Sequence, residues 1–260
     1  MPRWSDFRRI RNLKTLRHEV VRAFLFNLYF AHTRILYIML RKEDLNLLGL
    51  KIYQDDSLYC FTSDAVLLSR FARVKTGDTV ADFCSGSGIV GLHLYGLNAD
   101  KISSVTLFEM QKEMFDLSVK SISENNLENK FFAINTRLQD IDHSYHGKFS
   151  LIVCNPPYAK KDSGETHENQ VIANCKAELH LTLRELMEAA NKCLKYGGRI
   201  NIVHRADRLA EIIYEMKMVK IEPKRVCPVT GDENKDPYLV LVEGVKGGKS
   251  GLKILKTIKN

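Results

Sequence analysis

A short apolar run, Thr79–Cys84 (TVADFC), leads straight into Gly86-Ser87-Gly88, and a helical stretch, Ile89–Asn98, follows with no spacer. A strand that reverses through glycines into a helix is the first half of a βαβ unit, because glycine alone turns the backbone that tightly without a steric cost. The pattern then repeats. Val105–Glu109 reads as a strand, Lys112–Asn125 as a helix, and Phe131–Asn135 and Phe149–Cys154 as strands. Leu179–Leu194 reads as a long amphipathic helix ended by Gly197-Gly198, followed by strands at Arg199–His204 and Tyr238–Glu243. This alternation predicts an α/β fold with a mostly parallel sheet and helices on both faces. No internal repeat is visible.

Composition narrows the class further. With 260 residues, 45% of them hydrophobic, the chain can bury the core of one large α/β domain plus a small appendage, and collagen-like or disordered readings fail. Six cysteines (60, 84, 154, 175, 193 and 227) form neither a C-x-x-C pair nor a His/Cys cluster at zinc spacing. The expectation is a cytoplasmic, reducing compartment, no disulfide framework and no metal. The net charge of +8 is unevenly spread: residues 1–38 hold eight basic and two acidic residues and so account for +6 of it. Residues 1–40 are therefore read as a basic extension, 41–245 as the main domain and 246–260 as a basic, solvated tail.

Val20–Met39 is apolar but interrupted by Arg22, Asn27, His32 and Arg34, which excludes a membrane span. No small-residue cleavage site follows it, so a signal peptide is rejected as well. The extension is expected to form a basic amphipathic helix on the domain or on RNA; a true start at Met39 or an organellar transit peptide are the alternatives. Gly247-Gly248-Lys249-Ser250 is no P-loop, because Glu243 stands where its first glycine belongs. His93, His180 and His204 lack ligand spacing and are read as structural.

In such a sheet, ligands bind beyond the carboxyl ends of the strands, where three clusters fall. In the first, Asp82 precedes Ser85, Gly86 and Gly88. Gly86, Gly88 and Gly91 also match a dinucleotide fingerprint, but a carboxylate at that strand end repels a pyrophosphate and suits a cationic ligand such as S-adenosylmethionine. In the second, Glu109 ends the next strand and can accept from two ribose hydroxyls, with Met110 beside it to pack on adenine. Asp140, after the third strand, is a candidate acceptor for the adenine amino group. The third is Asn155-Pro156-Pro157-Tyr158 at the end of an apolar strand. The prolines stiffen the backbone and so fix the Asn155 side chain and the Pro156 carbonyl. These two neutral acceptors suit a planar amino or amide nitrogen whose lone pair is about to attack a methyl group. Tyr158 offers a stacking face, and Lys160 and Lys161 are candidate phosphate contacts.

Asp82–Gly88, Glu109 and Asn155–Tyr158 together resemble motifs I, II and IV of the class I S-adenosylmethionine-dependent methyltransferases that modify exocyclic or amide nitrogens. Phe61-Thr62-Ser63-Asp64-Ala65-Val66-Leu67-Leu68 is similar to the entry motif of the bacterial tRNA(Val) anticodon-loop adenine-N6 methyltransferases. The resemblance runs from about Leu47 to Glu243. It departs at Cys84, where the family often has glycine, and at Asn174-Cys175-Lys176-Ala177-Glu178, which replaces a more basic stretch. It implies a Rossmann-like, seven-stranded sheet, S-adenosylmethionine held by Asp64, Asp82, Ser85, Gly86, Gly88, Glu109, Met110, Asp140 and Asn155, and a monomer. It also implies catalysis of adenine-N6 methylation in RNA, most specifically at adenine 37 of tRNA(Val), by Asn155, Pro156 and Tyr158. Three rivals are a release-factor glutamine methyltransferase, an rRNA or DNA adenine methyltransferase, and an RNA-binding protein that only retains the fold.

Overall fold

The computed structural model of the protein describes residues 40–158 and 181–260, apart from Tyr59 and Glu233. The expected N-terminal helix, Lys160, Lys161, His180 and the 174–178 stretch lie outside the described residues. In chain order the described elements begin with β1 (Leu40–Asp44) and β2 (Lys51–Asp55), which form a small two-stranded sheet. Then come α1 (Ser63–Phe71), β3 (Asp78–Phe83), α2 (Ile89–Asn98), β4 (Ile102–Glu109), α3 (Lys112–Glu124), β5 (Phe131–Asn135) and β6 (Phe149–Cys154). After the undescribed segment follow α4 (Leu183–Cys193), β7 (Leu194–Arg205), α5 (Leu209–Met218), β8 (Ile221–Thr230), β9 (Leu239–Lys246), β10 (Lys253–Ile254) and β11 (Ile258–Lys259).

The main sheet has nine strands, the seven expected plus two short tail strands: it runs β10-β8-β9-β7-β6-β3-β4-β5, with β11 also on β8. Strands β3 to β7 pair in parallel, so Phe83, Glu109, Asn135 and Cys154 end side by side. β9 alone runs antiparallel, to both β7 and β8. The chain winds outward one way through β3, β4 and β5 and the other way from β6. The boundary between β3 and β6 is therefore the switch point at which such sheets open a crevice.

Alternation along each strand fills both faces. Ala81, Phe83, Ile152, Ile200, Ile202 and Val242 pack with Leu186, Met187 and Ala190 of α4 and Ile212 and Met216 of α5. Val80, Leu107, Leu151, Val153, Val203 and Leu241 pack with Leu68 of α1 and Leu92 and Leu94 of α2. Thr182 and Glu185 close a reciprocal cap at the start of α4 and satisfy donors that a helix N-terminus leaves open. On the α1 face, two buried ion pairs join the sheet to the end of α1. Arg199 bonds Asp78 at 2.6 and 2.8 Å and the Arg73 carbonyl; Arg225 bonds Glu243 at 2.6 and 2.8 Å and the Phe71 carbonyl. They anchor the carboxyl end of α1, and its other end reaches the site with Asp64.

Three expectations change. The helix of α4 ends at Cys193, not at the glycines, because Leu194 passes directly into β7. Gly197 and Gly198 lie inside that strand, opposite a register irregularity between Phe149 and Leu151. β8 is a strand with two prolines, which its sequence does not announce. Pro223 sits at a bulge against β9, and Pro228 lies where the tail strand breaks between β10 and β11. A proline has no N–H for a ladder, so the break falls where pairing is impossible. The tail itself is exposed in its side chains but ordered in its backbone: Lys253 and Ile254 pair with Arg225 and Val226, and Ile258 and Lys259 with Val229 and Thr230.

Candidate active site

The loop after β3 is a chain of left-handed residues. Cys84, Gly86 and Gly88 have φ of +56°, +55° and +91°. Two are glycines, which adopt that region freely. Cys84, where the resembling family often has glycine, carries a cost of roughly 1–2 kcal/mol for its Cβ. The turn is tied to both neighbouring strands. Ser85 N–H donates to the Phe108 carbonyl at 3.1 Å, and Gly86 N–H to Glu109 Oε2 at 2.8 Å. Glu109 Oε1 accepts from Gln111 N–H at 2.9 Å. Backbone N–H groups thus hold both Glu109 oxygens and fix the carboxylate on the cleft wall. Burial raises its pKa, against the pull of the N–H groups of Gln111, Gly86 and Met110. Beneath this turn Phe108 meets Phe83, Tyr145 and Phe149 edge-on, with centroids 5.5, 5.3 and 5.9 Å away. Such pairs stiffen the floor by about 0.5–1.5 kcal/mol each.

A cleft opens over the turn, with about 890 Å³ of empty space when the open solvent at its mouth is included. Its walls include Phe61, Ser85, Gly86, Glu109, Met110, Leu138, Gln139, Asn155 and Pro157. The sequence reading placed Ser85, Gly86, Glu109, Met110 and Asn155 here, and the structure brings those five together. Phe61, Gln111, Thr136, Gln139 and Leu181 are further lining residues that it missed. Phe61 opens the entry motif without having been named as a site residue; the other four come from loops without a motif, and only proximity in the folded chain identifies them.

Other residues stand elsewhere. Asp82 is wholly buried behind the turn and does not line the cleft. Its Oδ2 accepts Gly91 N–H at 2.8 Å, and burial, with the Glu109 charge adding to it, pushes its pKa up to about 8. The alternation of Val80 and Asp82 with Ala81 and Phe83 carries the reason: Asp82 points to the α2 face. Gly88 caps α2 and packs on Leu107, also behind the turn. Asp140 is exposed and faces a neighbouring depression with Asp142, His143 and His146, while Gln139 lines both that depression and the cleft. Asp64 lies against Tyr158, not on the cofactor wall: Tyr158 Oη is 3.2 Å from Asp64 Oδ2.

At the far wall, Cys154 ends β6 and Asn155 turns into the cleft, with Pro156 buried and Pro157 and Tyr158 half-buried. Tyr158 Oη donates to Asn155 Oδ1 at 2.5 Å. The His204 ring lies 5.1 Å from the Tyr158 ring, and burial, helped by Arg208, lowers the His204 pKa to about 4. His204 is therefore a neutral packing partner at pH 7. Burial also raises the Asp64 pKa, against the bonds from Tyr158 and Thr62.

The donor set fits S-adenosylmethionine. Ser85 Oγ is buried on the cleft wall with no hydrogen-bond partner among the described residues, Glu109 presents a backbone-fixed carboxylate, and Phe61, Met110 and Leu138 offer apolar surface. Among the described residues no group of three His, Cys, Asp or Glu could hold a metal ion, and no described helix is long and apolar enough to cross a membrane.

This fold and cleft define a methyltransferase. The model of the methyltransferase small domain matches residues 62–222, and the chain belongs to that family. Among curated proteins it is similar to a tRNA1(Val) (adenine(37)-N6)-methyltransferase of Flavobacterium psychrophilum, 20% identical over 79% of this chain and 88% of that protein. It is also similar to one of the same name from Shewanella baltica, 25% identical over 65% of this chain and 71% of that protein. Its fold resembles the crystal structure of a predicted O-methyltransferase from Agrobacterium tumefaciens, with a TM-score of 0.60 and 17% identity over 75% of this chain and 86% of the other. It likewise resembles a Pyrococcus horikoshii protein crystallised in complex with MeSAdo, with a TM-score of 0.56 and 15% identity over 81% and 72%.

Proposed function

We propose that the protein is a cytoplasmic S-adenosylmethionine-dependent methyltransferase acting on the exocyclic N6 of an adenine in RNA, with adenine 37 of tRNA(Val) as its target. One observation carries the reading: the stiffened Asn155 side chain lines the same cleft as Ser85, Gly86 and Glu109. A neutral acceptor and the cofactor turn thus share one space, with the Pro156 carbonyl next along the chain. The name borne by the Flavobacterium and Shewanella relatives supports the choice of base and RNA.

When bound, S-adenosylmethionine supplies a methyl group made electrophilic by its sulfonium. Glu109 and Ser85 would hold its ribose and polar end, and Met110 and Leu138 would offer apolar surface to its adenine. On the substrate side, Asn155 Oδ1 and the Pro156 carbonyl accept the two N6 hydrogens, and Tyr158 stacks on the ring. Both acceptors stabilise the positive charge that grows on nitrogen as its lone pair attacks, without taking a proton themselves. The proton lost from the methylated amino group passes to solvent. Tyr158 Oη now occupies Asn155 Oδ1, and an incoming N–H takes that acceptor over. Asp64 Oδ2, 3.2 Å away, is the second acceptor to which the hydroxyl turns. A base stacked in a loop must first leave its stack, at a cost of a few kcal/mol.

The test is transfer of labelled methyl to total RNA and total protein from a strain lacking the gene, followed by nucleoside mass spectrometry. Label in N6-methyladenosine of tRNA is expected. Label in protein instead assigns the same acceptors to a glutamine amide and overturns the reading.

A further inference from the structure

We infer that the C-terminal tail forms an RNA-backbone track, in which Lys253, Lys256 and Lys259, with Tyr238 at the end, guide the substrate to the catalytic mouth. The inference rests on the RNA reading above. Residues 246–260 contain five lysines and no acid. Lys246 is committed to the carbonyls of Asn191 and Leu194. The other four, at 249, 253, 256 and 259, are exposed, and among the described residues none joins an ion pair. Lysines often protect an open sheet edge, but that role needs charge of either sign and no particular destination.

Here the topology gives the charges a direction. β10 and β11 run parallel to β8, and β8 runs parallel to β7 because both oppose β9. The tail therefore climbs the sheet edge toward the carboxyl ends of the strands, where the cleft opens. Leu255 and Ile258 pack into the α1 face and pin it there. Leu255 N–H bonds the Val226 carbonyl at 2.8 Å, and Asn260 N–H the Thr230 carbonyl at 3.0 Å. Asn260 Nδ2 then bonds Ser63 Oγ at 2.7 Å and Tyr238 Oη at 2.6 Å. Ser63 adjoins Asp64, which touches Tyr158. From Lys253 to Lys259 the track follows β8 from Arg225 to Thr230, about 17 Å at the rise of an extended chain. It ends beside Tyr238, 45% exposed, whose ring can stack a base flanking the target.

The test compares the full-length protein with two triple variants in salt-dependent binding of an unmodified tRNA(Val) transcript. One is Lys253→Gln/Lys256→Gln/Lys259→Gln. The other, Lys75→Gln/Lys101→Gln/Lys130→Gln, removes equal charge at the opposite end of the sheet. Loss of three phosphate contacts should flatten the slope of log affinity against log salt by about 2 to 3 in the tail variant only. Affinity in 0.1 M salt should fall at least tenfold, S-adenosylmethionine binding by calorimetry and kcat at saturating tRNA should hold within twofold, and arginine at the three positions should restore the slope. An unchanged tail variant, or equal losses in both variants, overturns the inference while leaving methyl transfer by the wild type intact. A wild type that binds no tRNA fails at the earlier step and takes both readings down.

Discussion

Replacing Asp82 by Asn should change how the stability of the cofactor-free protein depends on pH, in a calculable way. The carboxyl is fully buried, and burial moves its pKa from 3.8 to about 8. Folding thus favours the neutral acid. The stabilisation held by that protonated form is complete below about pH 4 and is lost as pH rises through about 8. Between those limits the unfolded chain binds fewer protons than the native one, so stability falls with pH by about 1.4 kcal/mol per unit. Asparagine imitates the protonated acid, because its amide oxygen can still accept the Gly91 N–H, but it does not titrate. From pH 5 to 7 the wild type should therefore lose about 3 kcal/mol relative to the variant. With a urea m-value of about 3 kcal/mol per M, that is a relative shift of about 1 M in the unfolding midpoint. Glu109, also raised by burial, titrates in both proteins, so the difference between them isolates Asp82. Midpoints that run parallel for the two proteins across this range would refute the argument and show Asp82 to be ionised where it lies.

Three further outcomes follow from the site. Asn155→Ala should lower kcat for RNA methylation by about 10²–10³, the scale of one preorganised bond to developing charge, with little change in cofactor affinity by calorimetry. Tyr158→Phe keeps the stacking ring and frees Asn155 Oδ1, so its KM for RNA should stay within a few-fold, whereas Tyr158→Ala should raise KM by about 5- to 150-fold; equal effects would place the contribution in the hydroxyl. Gly91→Ala would put a Cβ 2.7 Å from Leu107 Cδ2 and 3.3 Å from Asp82 Oδ2, and chemical denaturation should show a loss of about 1–3 kcal/mol.

The apolar run before Gly86 and Gly88, the strands ending at Glu109 and Asn155, and the two prolines after Asn155 were legible in the chain because each is a local pattern. Periodicity, turn chemistry and proline stiffness act over a few residues and need no partner. From them came the parallel sheet and the pairing of a cofactor turn with a neutral-acceptor loop, while the switch point between β3 and β6 emerged only with the strand order. What contacts distant in sequence decide was not legible. Asp82 lies behind the turn because packing against α2 closed over it. Asp64 meets Tyr158 because α1 packs on the sheet through Ala65 and Leu68, with two buried arginines bonded at its other end. Asp140 sits in a single 3-10 turn, Leu138–Asp140, of which Leu138 and Gln139 but not Asp140 line the cleft. The tail reads as loose lysines until β8, itself disguised by Pro223 and Pro228, supplies the ladder that carries Asn260 to Ser63. Sequence states which groups a segment can offer, and burial and long-range pairing choose which of them face the ligand.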